Sequence, residues 1–220
     1  MCAQYNISVT PEQVAKILGS VPGIHTQAWL DRRVYPYTQG PVIVMDDNGQ
    51  LLLESMNFSL VPAWAQPGRH LTKAGKYKWP TYNARLETIH EKPSFRTPFK
   101  SKRCIVLMSD FIEPIYKGEF AQNMVSFSRT DSGLLLAAGI WDTHETEGKG
   151  YMDSYSIITY EPSEFVEEIG HDRQPVFLSE SNAKVWVNPS ETSGESLRKF
   201  LINLRASHEF EAKVDRPLKN

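Results

Sequence analysis

The sequence predicts an α+β fold: a mainly antiparallel β-sheet or barrel core with peripheral helices, in a single domain over residues 1–220. Three observations carry this. Short apolar runs recur at close spacing ("PVIVM", "LLLESM", "CIVLM", "NMVSFS", "LLLAAGI" and "YSIITY") with few helical patterns between them. Neither a linker-like stretch nor an internal repeat divides the chain. Its 220 residues are long enough for one sizeable core.

The elements follow in order. "TPEQVAKILGS" reads as a helix, with Thr10 as N-cap, Pro11 at the first helical position, Gln13 completing a capping box and Gly19 as the stop. "PVIVM" and "LLLESM" flank "DDNGQ", whose Asn-Gly pair signals a hairpin. The stretch "SLVPAWAQPGRHLTKAGKYKWPTYNAR" has no clear period, and loops of that length in compact domains are usually functional or disordered. "ARLETIH" is expected to form a short helix. Strands follow at the four later apolar runs, and helices at "PSEFVEEI", "SNAKVWV" and "GESLRKFLINL".

Composition narrows the class. Hydrophobic residues are 40% and charged residues 23%, an ordinary soluble balance. No apolar run approaches the roughly 18 residues of a membrane span, and the N-terminus lacks the basic and apolar regions of a secretory signal. Cys2 and Cys104 give neither a disulfide framework nor a metal-type spacing, and Cys104 within "CIVLM" reads as a buried core thiol. A monomer in a reducing cytoplasm, with no cofactor, metal or membrane contact, is the expectation. The formal charge of −2 conceals an asymmetry: residues 69–103 hold ten Lys and Arg against Glu87 and Glu91 alone. Tyr77, Trp79, Tyr82, Phe95 and Phe99 are interleaved with them. Cations that track phosphates, beside rings that stack on bases, suit a single-stranded nucleic acid; a solvated basic loop is the plainer reading.

Four places stand out chemically. Cys2 lies directly behind Met1, and a cysteine exposed by methionine removal carries an α-amine and a thiol on adjacent carbons. Asn83 and Arg85 in "YNAR" fall at the entrance of the expected short helix, where backbone N–H groups favour anions. Glu113 in "DFIEP" is placed where a strand meets a loop, and His171 in "GHDRQPV" follows Gly170 before an expected strand. Taken singly, each has a plainer role, as a strand-start residue, a turn residue, a surface acid and a satisfied core histidine.

Together, "MC", "LVPAW", "NARLET", "RCIVLMSDFIEP", "AGIWD" and "IGHDRQPV" occur in an order that resembles the SOS-response-associated peptidase (SRAP) family, the abasic-site processing proteins. The likeness runs from Cys2 to the terminal "KVDRPLKN". It implies binding to abasic sites in single-stranded DNA and a covalent thiazolidine crosslink from Cys2 that shields the lesion. Autoproteolytic activity and an abasic-site lyase side activity are implied as well. On this resemblance Cys2 matches the nucleophile, Asn83 the residue that orients it, and Glu113 and His171 the acid–base pair. Arg85 matches a phosphate contact, and Pro36 and Trp64 match positions shaping the DNA-facing surface; Lys76, Lys78 and Trp79 of the basic segment join them as expected DNA contacts. The chain departs from the family's common Cys-Gly-Arg start with Ala3 and Gln4, and carries Phe58, Ser59 and Ala65 around "LVPAW" where other residues are usual.

An aldehyde is trapped by an unprotonated amine. From reference pKa values, roughly a tenth of an α-amine is free at pH 7 against about 0.04% of lysine. The imine carbon then lies within reach of the same residue's sulfur, and closing the five-membered ring is intramolecular. An internal cysteine offers only a labile hemithioacetal. Two alternatives use the same residues: an N-terminal-nucleophile amidase with Cys2 activated by its own amine, and a non-covalent single-strand binding module. Neutralising Lys76 and Lys78 together should weaken single-strand binding for any sequence and lower the log–log salt slope by roughly 0.7 per lost phosphate contact, measured by anisotropy titrations over a salt series.

Overall fold

The computed structural model describes residues 2, 4–19, 31–66, 80–148, 150–190 and 193–218. Strand β1 (Gln4–Ser8) leads into helix α1 (Pro11–Leu18), followed by β2 (Asp31–Val34), β3 (Gln39–Met45), β4 (Leu51–Phe58) and β5 (Asn83–Arg85). After α2 (Arg96–Ser101) come β6 (Arg103–Met108), β7 (Asp110–Ile115), β8 (Asn123–Arg129), β9 (Leu135–Thr146) and β10 (Gly150–Tyr160). The chain ends through α3 (Glu164–Ile169), β11 (Gln174–Pro175), α4 (Glu180–Val187), α5 (Gly194–Leu204) and β12 (Phe210–Pro217).

Local chemistry places several elements as expected. At the start of α1 the Thr10 hydroxyl accepts from the Gln13 N–H while the Gln13 side chain accepts from the Thr10 N–H, a complete capping box. The β3–β4 hairpin closes on Asp46, whose Oδ1 accepts from the Asn48 and Gln50 N–H groups, so the loop is organised by an Asx-type contact ahead of Asn-Gly. Helices α3, α4 and α5 each begin at a serine whose hydroxyl caps the first turn.

Two sheets share one contiguous core. The first runs β12-β8-β7-β1-β2 and is antiparallel throughout. The second runs β11-β10-β4-β3-β6-β9, and because β9 also pairs with β10 its ladder returns on itself as a barrel. The pattern is mainly antiparallel, with two short parallel pairings of β10 to β4 and to β5. Between the sheets, Tyr5 on β1 and Tyr155 on β10 share a hydrogen bond of 2.6 Å with both side chains fully buried. Gly40 on β3 makes this possible: a Cβ there would lie 2.3 Å from the Tyr155 hydroxyl and 2.8 Å from that of Tyr5. Phe58 stacks on Tyr155 with ring centroids 5.1 Å apart, extending the same layer.

The two edge strands of the first sheet are joined by side chains. Arg33 on β2 forks onto Asp215 on β12 at 2.5 and 3.0 Å, and its Nε donates to Asn6 on β1. Arg216 beside it donates to the Gln4 side chain at 2.8 Å. Strand β1, which begins two residues after Cys2, is thus fixed from both directions.

One expected helix is absent. "ARLETIH" is not helical: Asn83–Arg85 add to β10 as a strand and the following residues form turns. Leu86 extends that pairing through its N–H to the Thr159 carbonyl, while Leu86 and Ile89 are buried. Successive turns carry these residues over the core instead. No helix among the described residues is long and apolar enough to cross a membrane.

The Arg33–Asp215 contact holds the Asp215 carboxyl below the usual carboxylate range. A lowered folded-state pKa contributes stability above the unfolded value and loses it as pH falls. Asp215→Asn should cost about 1–3 kcal/mol at pH 7 in urea denaturation, with the penalty shrinking below about pH 4.

Candidate active site

Cys2 is fully buried at the entrance to β1. Its backbone carbonyl accepts a hydrogen bond of 2.9 Å from the Asn83 side-chain amide, and its Sγ lies 3.7 Å from the Gln4 carbonyl. Asn83 therefore holds Cys2 from β5, a strand that exists only because it pairs with β10. The Asn83 Oδ1 is buried with no hydrogen-bond partner, leaving an acceptor next to Cys2.

Glu113 is fully buried within β7, opposite Val125 of β8. It does not end its strand as the sequence suggested: pairing continues through Pro114 to Ile115. Proline is tolerated because β1 pairs with β7 only as far as Gln4 opposite Ile112, so beyond that point one side of β7 is an edge. Burial pushes the Glu113 carboxyl up to about 8, so at neutral pH it is mainly the uncharged acid.

His171 follows the C-terminus of α3. Gly170 caps that helix in the left-handed region at φ 111°, and a Cβ there would lie 2.9 Å from the Lys117 carbonyl. The imidazole is 7% exposed, and its Nε2 lies 3.4 Å from Glu113 Oε2. Its Nδ1 is 2.8 Å from the Arg173 carbonyl and 3.3 Å from the Arg173 N–H; the shorter contact is the one made with the proton on Nδ1, the tautomer that turns the Nε2 lone pair to Glu113. Burial depresses the imidazole to about 4. The resemblance matched the two only as an acid–base pair; desolvation sets a protonated carboxyl at Glu113 beside a neutral imidazole at His171 between about pH 4 and 8. The Cys2 thiol is likewise pushed well above its ordinary value, by burial and then by Glu113.

The other expected residues divide. Arg85 lies on β5 two positions from Asn83 and is exposed. Trp64 is 59% exposed, with its indole N–H donating to the Pro93 carbonyl. Its loop is fixed from below by Asp142, which accepts from the Ala63 N–H at 2.8 Å and from Lys102 at 2.9 Å. Pro36 is the second residue of the β2–β3 turn, and Tyr37 follows at φ 70°, the left-handed value favoured at the third position of a type II turn. Lys76, Lys78 and Trp79 lie outside the described residues. Two cations of the basic segment face inward. Arg103 is 3% exposed and donates to the carbonyls of Lys100, Trp186 and Asn188, and Lys102 pairs with Asp142.

Sequence reasoning passed over Arg173 and Tyr116, and noted Tyr82 only as one of the rings of the basic segment. Arg173 forks onto Glu87 at 2.9 and 2.8 Å and donates to the Thr159 carbonyl, tying the His171 segment to β10 and to the turn after β5. Its position inside "HDRQP" was the available signal. Tyr82 and Tyr116 border the cavity beside His171, and no sequence pattern marks Tyr116.

The family model described as SOS response associated peptidase (SRAP) matches residues 1–217. The chain belongs to this family. Among its SRAP relatives, the abasic site processing protein YoaM of Bacillus subtilis is 35% identical over 169 residues, covering 75% of this chain and 69% of the relative. The abasic site processing protein HMCES of Rattus norvegicus is 29% identical over 182 residues, 70% of this chain and 50% of that protein. A crystal structure of a Bacteroides thetaiotaomicron protein superposes with a TM-score of 0.80 at 26% identity, over 98% of this chain and 92% of the other.

The raised Glu113 pKa has a thermodynamic consequence. The unfolded chain ionises this carboxyl near 4.5 and the folded chain near 8, so burial costs stability increasingly across that window. Glu113→Gln should match the parent near pH 4 and exceed it at pH 8.5 by up to about 3–5 kcal/mol in chemical denaturation.

Proposed function

We propose that this SRAP protein processes abasic sites in single-stranded DNA by linking Cys2 to the opened sugar, so that the lesion is covered by protein. The observation that supports this best is the grouping of Cys2, Asn83, Glu113 and His171, drawn from four separate elements into one dry site.

Removal of Met1 gives Cys2 its α-amine, and the unpartnered Asn83 Oδ1 is placed to accept from it while the Asn83 amide holds the Cys2 carbonyl. An abasic sugar rests mostly as a closed hemiacetal. His171 Nε2 takes the proton from its anomeric hydroxyl as Glu113 donates one to the ring oxygen, giving the aldehyde. The proton held on His171 Nε2 passes back to Glu113, 3.4 Å away, restoring both groups. The amine then adds to the aldehyde carbon with its proton moving to the oxygen, and the carbinolamine loses its hydroxyl as water, Glu113 donating the proton and regaining one from the nitrogen as the neutral imine forms. Addition of the Cys2 sulfur to the imine carbon, with the thiol proton passing to the imine nitrogen, closes the thiazolidine. The sum is one aldehyde and one aminothiol converted to the ring and one water. Because the thiol is held neutral until the imine forms, sulfur alone is a poor first nucleophile here, and the amine leads. The same imine permits β-elimination, the lyase side activity. Autoproteolysis that frees Cys2 suits the same acid–base pair. Arg85, Trp64 and Pro36 present the strand, together with the basic segment around Lys76, Lys78 and Trp79.

Cys2→Ala keeps the amine and should give an imine trapped by borohydride but no stable adduct with abasic single-stranded DNA on denaturing gels. A chain extended ahead of Cys2 keeps the thiol, converts the amine to an amide, and should give neither product at unchanged DNA affinity. In mass spectrometry the adduct must lack Met1; a stable adduct that retains Met1 would refute the mechanism. Replacing His171 or Glu113 by alanine should slow adduct formation about 10²–10⁴-fold, and rates within twofold of the parent would remove the pair from the chemistry.

A further inference from the structure

We propose that the cavity beside His171 is a subsite for the nucleobase next to the lesion, and that it favours guanine. This rests on the reading of the protein as an abasic-site binder and extends it to the sequence around the site. The cavity has a volume of about 580 Å³, within the range of small-molecule sites and more than an open-chain sugar needs. Its inner wall is His171, so whatever occupies it adjoins the reacting sugar.

The lining has the chemistry of a base pocket. Tyr116 is 66% exposed on the rim, and the partly buried Tyr82 is held edge-on against Phe58 at 6.1 Å. Pro114 lies between these aromatic side chains in sequence and adds a flat apolar surface. Rings presented this way stack on any base. Lys117 supplies a cation for the connecting phosphate. Asp172 supplies the discrimination: it lines the cavity, its side chain is 90% exposed, and its Oδ1 lies 3.9 Å from His171 Nδ1, so the carboxylate is open to accept hydrogen bonds from a base. A carboxylate matches the paired ring N–H and exocyclic amine of guanine, which donate in parallel. Adenine and cytosine offer the amine alone, and thymine sets its single ring N–H between two carbonyls that repel an anion. The pocket's shape depends on Gly170, where the absent side chain lets the segment bearing His171 and Asp172 approach the Lys117 backbone.

The test uses single strands carrying one tetrahydrofuran, an unreactive abasic analogue, with the 5′ and the 3′ neighbour varied separately through dG, dA, dC and dT. Affinities are read by fluorescence anisotropy. Guanine on one of the two sides should bind about 3–10-fold more tightly than thymine, less than a buried bidentate contact gives because Asp172 faces water. Asp172→Asn should erase that preference, and Tyr116→Ala should weaken all strands roughly 5-fold or more. Equal affinities for the four bases on both sides, or a preference that survives Asp172→Asn, would overturn the proposal. Adducts on natural abasic strands, scored in parallel on denaturing gels, separate the two readings: adducts without base preference sink the subsite alone, and base preference without adducts sinks the crosslinking chemistry alone.

Discussion

The burial of Glu113 is the constraint around which the site is arranged. A carboxyl with no exposed surface, held in the middle of β7, is driven to its uncharged form, and the imidazole 3.4 Å away is driven to its neutral form by the same loss of water. Two groups that would form an ion pair in solvent instead face each other as acid and base. The Cys2 thiol shares this environment and is also held neutral. The site therefore holds its protons in place rather than charge, and it does so at a cost to stability that the rest of the fold offsets.

That offset comes from how β1 is fixed. A chain terminus ordinarily frays, yet here the first strand lies between β2 and β7 and joins the barrel through the buried Tyr5–Tyr155 contact. The Arg33–Asp215 fork and the Arg216–Gln4 bond bring the last strand onto the first. The beginning and the end of the chain brace each other, which places Cys2 reproducibly against residues more than eighty and a hundred positions away. The interior use of Arg103 and Lys102 belongs to the same economy of placement: charge that looks like a binding surface in sequence supports α4 and the Trp64 loop in space.

Much of the fold was legible from local pattern. The capping box of α1, the β3–β4 hairpin, the later strands and α3 to α5 follow from residues close in sequence, whose preferences act over one turn of helix or one hairpin. The reading failed at "ARLETIH", where apolar residues at helical spacing are claimed by pairing of Asn83–Arg85 with β10, an interaction more than seventy residues distant. It also misjudged Glu113, since nothing local shows that β1 stops pairing opposite Ile112 and so lets a strand run through Pro114. The site residues were legible only in combination. Cys2, Asn83, Glu113 and His171 are unremarkable singly, Arg173 is marked only by its place in "HDRQP", and Tyr116 leaves no pattern at all.

What the sequence determined by itself was the class of fold, several of its helices and strands, and the family, because these rest on short-range propensity and on a recognisable order of motifs. What only the tertiary structure decided was the protonation state of the site. A pKa is set by how much water is removed and by which groups lie within a few ångströms, and both are properties of packing between distant segments. The resemblance pointed to an acid–base pair; the folded interior, by withholding solvent from both groups, leaves the carboxyl protonated and the imidazole neutral.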